Sequence, residues 1–133
     1  MKEFPLTIAT PDGVVFDGVA ESILIRCATG DIEILAGHTD LFASLGIGRV
    51  RIKANGTTRM ASASGGFISV SDGTTRVVAT TFEFSDEIDL ERAEKARENA
   101  ENAIRNAKND AELEKAKMKL MRAMTRIQVS GVK

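Results

Sequence analysis

The sequence predicts an α+β protein with segregated halves: an N-terminal all-β sandwich over residues 1–84, then a C-terminal antiparallel α-helical hairpin over residues 85–133. Three observations carry this reading. Both prolines (Pro5, Pro11), every phenylalanine and every glycine except Gly131 lie before Ser85, and Ala, Glu, Lys, Arg, Asn and Met are common after it. Glycine and proline punctuate short strands, whereas Ala, Glu, Lys and Arg favour helix. Before the break, apolar residues come in short runs between turn signals; after it they recur every three or four positions.

Leu6-Thr7-Ile8 is the first strand run, closed by the turn Pro11-Asp12-Gly13. Val14-Val15-Phe16 follows and ends at Asp17-Gly18. Glu21 to Cys27 alternates, with Ile23, Ile25 and Cys27 on one face, so Cys27 reads as a small buried hydrophobe. Ile32 to Leu35 is another run. Arg49 to Lys53 alternates up to Asn55-Gly56, and Thr57 to Ala63 continues beyond it. Asn-Gly between two such runs signals a tight hairpin, because both residues tolerate positive φ. Phe67 to Val70, Asp72-Gly73 and Arg76 to Ala79 repeat that plan. Gly46-Ile47-Gly48 reads as turn glycine and Ser64-Gly65-Gly66 as a bulge or tight bend. Short strands at this spacing suggest a sandwich or barrel.

In the second half, Ala93, Ala96, Ala100, Ala103 and Ala107 form one helical stripe that starts from Asp89 and stops at Lys108-Asn109-Asp110. Asn109 can cap the next helix, with Glu112 in the capping-box position. Leu113, Ala116, Leu120, Ala123 and Ile127 make the second stripe, widened by Met121 and Met124. Two stripes joined by a short loop make an antiparallel hairpin. Alanine burial releases little free energy, so this hairpin is marginal alone and must dock on something. A marginal element with more than one docking surface can act as a switch.

The chemistry available is narrow. A net charge of −1, with 28% charged and 43% hydrophobic residues, gives no global attraction to nucleic acid. Trp and Tyr are absent and the only aromatics are six phenylalanines, which argues against base- and sugar-stacking surfaces. One cysteine and one histidine, Cys27 and His38, complete neither an intrachain disulfide nor a zinc site within one chain. No apolar stretch approaches the roughly 20 residues of a membrane span. Met1 to Leu6 has no signal-peptide core. The expected location is therefore cytoplasmic, with no direct membrane insertion and any membrane association made through a partner. No phosphate loop or nucleophile elbow occurs, and no catalytic constellation is visible. Asp12, Asp17, Asp31 and Asp40 fall in expected turns, and His38 reads as a loop or interface residue. Arg122 and Arg126 are four apart and share a helix face with Lys115 and Lys119. Two readings of that face stand open. It is a solvated face balanced by Glu112 and Glu114, or an anion site in which each charge-assisted bond contributes about 1.5–3 kcal/mol.

Thr10-Pro11-Asp12-Gly13, Gly30-Asp31-Ile32-Glu33-Ile34-Leu35-Ala36-Gly37-His38, Gly65-Gly66-Phe67 and Ile88-Asp89-Leu90-Glu91-Arg92-Ala93 follow in that order. Over essentially its whole length the chain thereby resembles the epsilon-subunit family of bacterial F-type ATP synthases. That family carries a TPxG turn, a GxxGxLPGHxPL segment and a GGF strand entry, and its ATP-binding members an I/L-D-x-x-R-A motif. This chain departs at Ala36 and Asp40, where the family usually has proline, and at Asn99, where some ATP-binding relatives have arginine.

The resemblance implies a non-catalytic central-stalk rotor subunit that couples proton-driven rotation to ATP synthesis, held peripherally at the cytoplasmic face of the cell membrane. The sandwich would grip the gamma subunit and the membrane rotor ring, with Asp31 and His38, in loops expected at one end, as partner-binding residues. The hairpin would fold on the sandwich or extend toward the catalytic alpha and beta subunits, where it blocks hydrolysis. ATP would be a regulatory ligand that favours the folded form, with no cofactor required. Antiparallel packing would bring Arg92 near Arg122 and Arg126, which would hold the triphosphate. Glu83 and Asp89 would recognise adenine, and Ile88 and Ala93 would supply an apolar wall. Arg92 and Arg126 pairing with nearby Glu residues is the other outcome. A free-standing interaction module of the same plan, or a small enzyme with an unrecognised site, are the readings from other classes.

Overall fold

The computed structural model describes residues 2–131; the outer ends of the two expected domains, residues 1 and 132–133, lie outside them. Seven strands come first: β1 Phe4–Thr10, β2 Gly13–Ala20, β3 Ser22–Cys27, β4 Gly30–Leu35, β5 Leu41–Ala54, β6 Thr57–Ser71 and β7 Thr74–Phe84. A single 3-10 turn, Ser85–Glu87, leads to α1, Leu90–Arg105, and α2, Asp110–Ser130.

The strands form one hydrogen-bonded sheet in the order β2-β1-β7-β6-β5-β3-β4. Phe4, Leu6 and Ile8 of β1 nevertheless share one buried cluster with Ile23 and Ile25 of β3 and Ile34 of β4, and β2 comes against β5. Only a sheet folded over on itself brings those ends together, so the architecture is a sandwich with its alternating apolar face turned inward. Every neighbouring pair is antiparallel except β1 and β7, which run parallel with Leu6 opposite Thr75. Both expected hairpin turns form. Asn55 and Gly56 have φ of 53° and 71°, and Asp72 and Gly73 have 50° and 77°, the double positive φ of the turn that matches strand twist. Cys27 is buried as the alternation predicts, and that burial, with Asp31's charge as a smaller cause, pushes its thiol pKa up.

The glycine pairs inside the sheet differ from expectation. Gly46 and Gly48 are not turn residues; they lie within β5. A Cβ on Gly48 would sit 2.6 Å from Arg26 Cβ, so the glycines let β3 approach where its register on β5 shifts between Ile25 and Cys27. Gly65 and Gly66 likewise fall inside β6, and the partner register on both sides continues across them.

The hairpin is folded down on the sandwich: α2 lies on β5 and β6, and α1 packs on α2. The buried helical positions are Ala93 and Ala100 in α1, and Ala116, Ala123 and Val129 in α2. Ala93/Ala100 and Ala116/Ala123 are each seven apart, the repeat of a close-packed helix pair. Ala96 and Ala103, which share the sequence stripe, stay exposed. Asn109 caps α2 by accepting the Glu112 N–H at 2.9 Å, while the Glu112 carboxylate accepts from Lys108 N–H rather than closing a box on Asn109.

Candidate functional site

The motif Ile88 to Ala93 starts α1. Asp89 is its N-cap, and Asp89 Oδ1 accepts the Arg92 N–H at 3.1 Å, an arrangement contributing about 1 kcal/mol to helix stability. This cap fixes the first turn. Ala93 turns inward, 3% exposed, and Arg92 is left beside the sheet–hairpin junction. Arg122 and Arg126 lie one turn apart near the end of α2. Because the helices are antiparallel, Arg126 comes back to the start of α1.

Between β7, the 3-10 turn and the two helices lies a cavity of about 550 Å³, within the size range of small-molecule sites. Glu83, Ile88, Asp89, Arg92, Ala93 and Arg126 all line it. Arg122 does not; it lines an adjoining cavity of about 320 Å³ that shares Ala96 and Arg126 with the first. The expected clustering of three arginines is therefore divided over two spaces. Glu83 is not free of the arginines either: Arg126 Nε lies 2.5 Å from Glu83 Oε1, an ion pair that ties α2 to β7. Its two side chains are 28% and 37% exposed, so water screens the pair and its strength is about 1 kcal/mol. Asp89, expected to meet a ligand, has one carboxylate oxygen occupied as the helix cap.

Thr10, Asp12, Thr80 and Thr81 also line the larger cavity. Sequence reasoning passes over them: Asp12 reads as a turn residue, and alternate threonines in a strand read as its outer face. Four carboxylates, Asp12, Glu83, Glu87 and Asp89, face two guanidiniums there. Such a lining suits a ligand part that offers hydrogen-bond donors and little charge.

Asp31 and His38 do not share one end of the sandwich. Asp31 lies at the start of β4 and pairs with Arg26 at 3.2 Å. His38 lies beyond the other end, its Nδ1 donating to the Thr39 carbonyl at 2.7 Å. The intervening strand of six residues spans about 20 Å, which separates them. Among the described residues no group of three His, Cys, Asp or Glu side chains is gathered as a metal site. No helix of the described residues is long and apolar enough to cross a membrane.

Two family descriptions match the chain: ATP synthase, Delta/Epsilon chain, beta-sandwich domain over residues 3–85, and ATP synthase, Delta/Epsilon chain, long alpha-helix domain over residues 86–131. Among curated relatives, the ATP synthase epsilon chain of Bacillus subtilis (strain 168) is 39% identical over 131 residues, covering 98% of this chain and 99% of that one. The epsilon chain of Bacillus pumilus is 37% identical over 131 residues, with the same shares covered. That of Ruminococcus albus is 34% identical over 134 residues and covers both chains fully. Among solved structures, a chain of the Euglena gracilis mitochondrial ATP synthase (OSCP/F1/c-ring) has a TM-score of 0.83 at 23% identity, over 98% of this chain and 82% of that chain. A chain of the Tetrahymena thermophila mitochondrial ATP synthase central stalk and c-ring has a TM-score of 0.69 at 17% identity, over 95% of each. At these identities the structural likeness is one of fold.

Proposed function

The chain belongs to the ATP synthase delta/epsilon chain family and matches epsilon chains over its whole length, and from that premise we propose that it is a central-stalk rotor subunit whose hairpin is an ATP-sensitive brake on hydrolysis. In this reading it carries no catalytic site of its own and couples proton-driven rotation to ATP synthesis. It sits peripherally at the cytoplasmic face of the membrane. The sandwich holds the gamma subunit and the membrane rotor ring, and the hairpin, when it leaves the sandwich, reaches the alpha and beta subunits.

The observation that carries the reading is the cavity that exists only while the hairpin is folded down. Its walls come from β7 on one side and from Arg92, Ala93 and Arg126 on the other. A ligand that fills it binds the folded form and not the extended one. Ligand at a hundred times its dissociation constant then stabilises the folded form by about 2.7 kcal/mol. The contacts it reinforces are few: buried alanines, Val129 and one partly exposed ion pair. ATP fits the lining if its adenine amino group meets Glu83 or the free oxygen of Asp89, its ring lies on Ile88 and Ala93, and its phosphates run toward the arginines. Neutralisation by arginine leaves no requirement for magnesium in the contact.

Titration calorimetry of the full chain with ATP tests the ligand. Saturable binding that weakens about tenfold in Arg92→Ala and in Arg126→Ala is expected. No heat at millimolar ATP removes the nucleotide. In the assembled enzyme, removing residues 85–133 is expected to raise ATP hydrolysis, and an unchanged rate removes the brake.

A further inference from the structure

The smaller cavity separates charge in a way the larger one does not. On the α2 side it is lined by Lys119, Arg122 and Arg126; on the α1 side it meets Asn99 and alanines, and no acidic residue lines it. Lys119, Arg122 and Arg126 lie three and four residues apart, so they stack along one helix face. Like charges at that spacing oppose helix formation by a few tenths of a kcal/mol per pair. Within the described residues neither Lys119 nor Arg122 has a carboxylate within ion-pair distance. Arg126 is paired with Glu83, so it is the repulsion between Lys119 and Arg122 that the described residues leave uncompensated. The larger cavity next door holds four carboxylates, so an anionic chain entering through the shared wall at Arg126 is pushed out of one space and drawn into the other.

Resting on the nucleotide reading above, we propose that Lys119 contacts the terminal phosphate of the bound nucleotide and sets the preference for a triphosphate over a diphosphate. Helical rise places the three cations in sequence. Arg122 lies about 6 Å and Lys119 about 10 Å from Arg126 along the axis. Arg126 stands where the two cavities meet, so it serves the phosphates nearest the nucleoside. Only a longer chain reaches Lys119. A lysine suits that end, because its ammonium is a compact charge on a flexible stem and need not match a fixed fork geometry. Asn99 and the small alanines opposite leave the groove open for the chain, and Asn99 can donate a hydrogen bond without adding charge.

Lys119 is exposed on a helix surface, so Lys119→Ala retains the fold. Calorimetry of the full chain with ATP and with ADP reads the assignment. Lys119→Ala is expected to weaken ATP about fivefold, to leave ADP unchanged, and so to collapse the ATP-to-ADP affinity ratio. Lys119→Arg is expected to keep most of the ratio. Lys117→Ala, which removes a lysine paired with Glu114, is expected to change neither. Arg122→Ala is expected to weaken ATP and ADP together. An unchanged ratio in Lys119→Ala, or an equal loss for both nucleotides, overturns the assignment while the nucleotide reading survives. A wild-type chain that binds neither nucleotide overturns both.

Discussion

At Gly66 the chain has no room for a side chain. Its φ is 94°, and a Cβ there would sit 1.8 Å from the Val78 carbonyl oxygen on the paired strand. Both the backbone and the neighbour forbid relief, since the clash is with main chain rather than a movable side chain. Gly66→Ala is expected to cost about 3 kcal/mol or more, seen as a lower urea midpoint with an unchanged slope. Gly18→Ala is the matched control, because a Cβ there first meets the Phe16 ring at 3.8 Å; a loss as large as at Gly66 would refute the steric account. This scale was only partly legible. The burial of Cys27 follows from strand alternation, a local signal. The crowding at Gly48 does not, because Arg26, the residue it must avoid, is distant in sequence and arrives by strand pairing. The separation of Asp31 from His38 is hidden for a related reason: turn-like residues flank β4 at either end, and their type does not reveal which end.

The hairpin is an element whose periodicity is readable and whose docking is not. The two helices, the cap at Asn109 and the antiparallel pairing follow from spacing and end signals, whereas the cap at Asp89 and the exposure of Ala96 and Ala103 do not. Which surface receives them depends on β5 and β6, whose outer face under α2 presents Ser62 and Ser64, both buried. Nothing in a serine-containing strand announces a docked helix. The site is split in the same way. Ile88, Asp89, Arg92 and Ala93 of the larger cavity fall into one sequence motif, but Thr10, Asp12, Thr80 and Thr81 do not, and the closure of Arg126 on Glu83 requires two elements 43 residues apart to meet. That pair is the one ion pair between α2 and the sheet among the described residues. Arg126→Ala and Glu83→Ala, singly and together, are expected to show a coupling of about 0.5–1 kcal/mol in denaturant unfolding, reduced at high salt. Zero coupling at low salt would mean that the contact does not hold the hairpin down.

Across the whole molecule the two halves divide the stabilising work unequally. Every member of the main apolar cluster lies between Phe4 and Phe84, and no helical residue belongs to it. The helices bury mainly alanines against each other and against the sheet. Their removal uncovers a face that carries Ser62 and Ser64, and Ser64 keeps its 2.6 Å hydroxyl contact with Thr81. Hydroxyls on that face are readily hydrated, so exposing them costs little. The fragment 1–84 is therefore expected to remain folded, with a β-type circular dichroism spectrum and one cooperative thermal transition. The fragment 85–133 is expected to be largely unstructured in water, because short helices with little apolar area do not hold alone. An aggregated or unfolded 1–84 would place the hairpin inside the folding unit and remove its freedom to leave. A strongly helical 85–133 would act against the proposed control as well: a self-sufficient hairpin draws little of its helicity from the sheet, and a ligand in the cavity would then govern its position but not its folding. The expected pair of results, a sandwich indifferent to the hairpin and a hairpin dependent on a surface, is the asymmetry by which a few kcal/mol of ligand binding can move one half without disturbing the other.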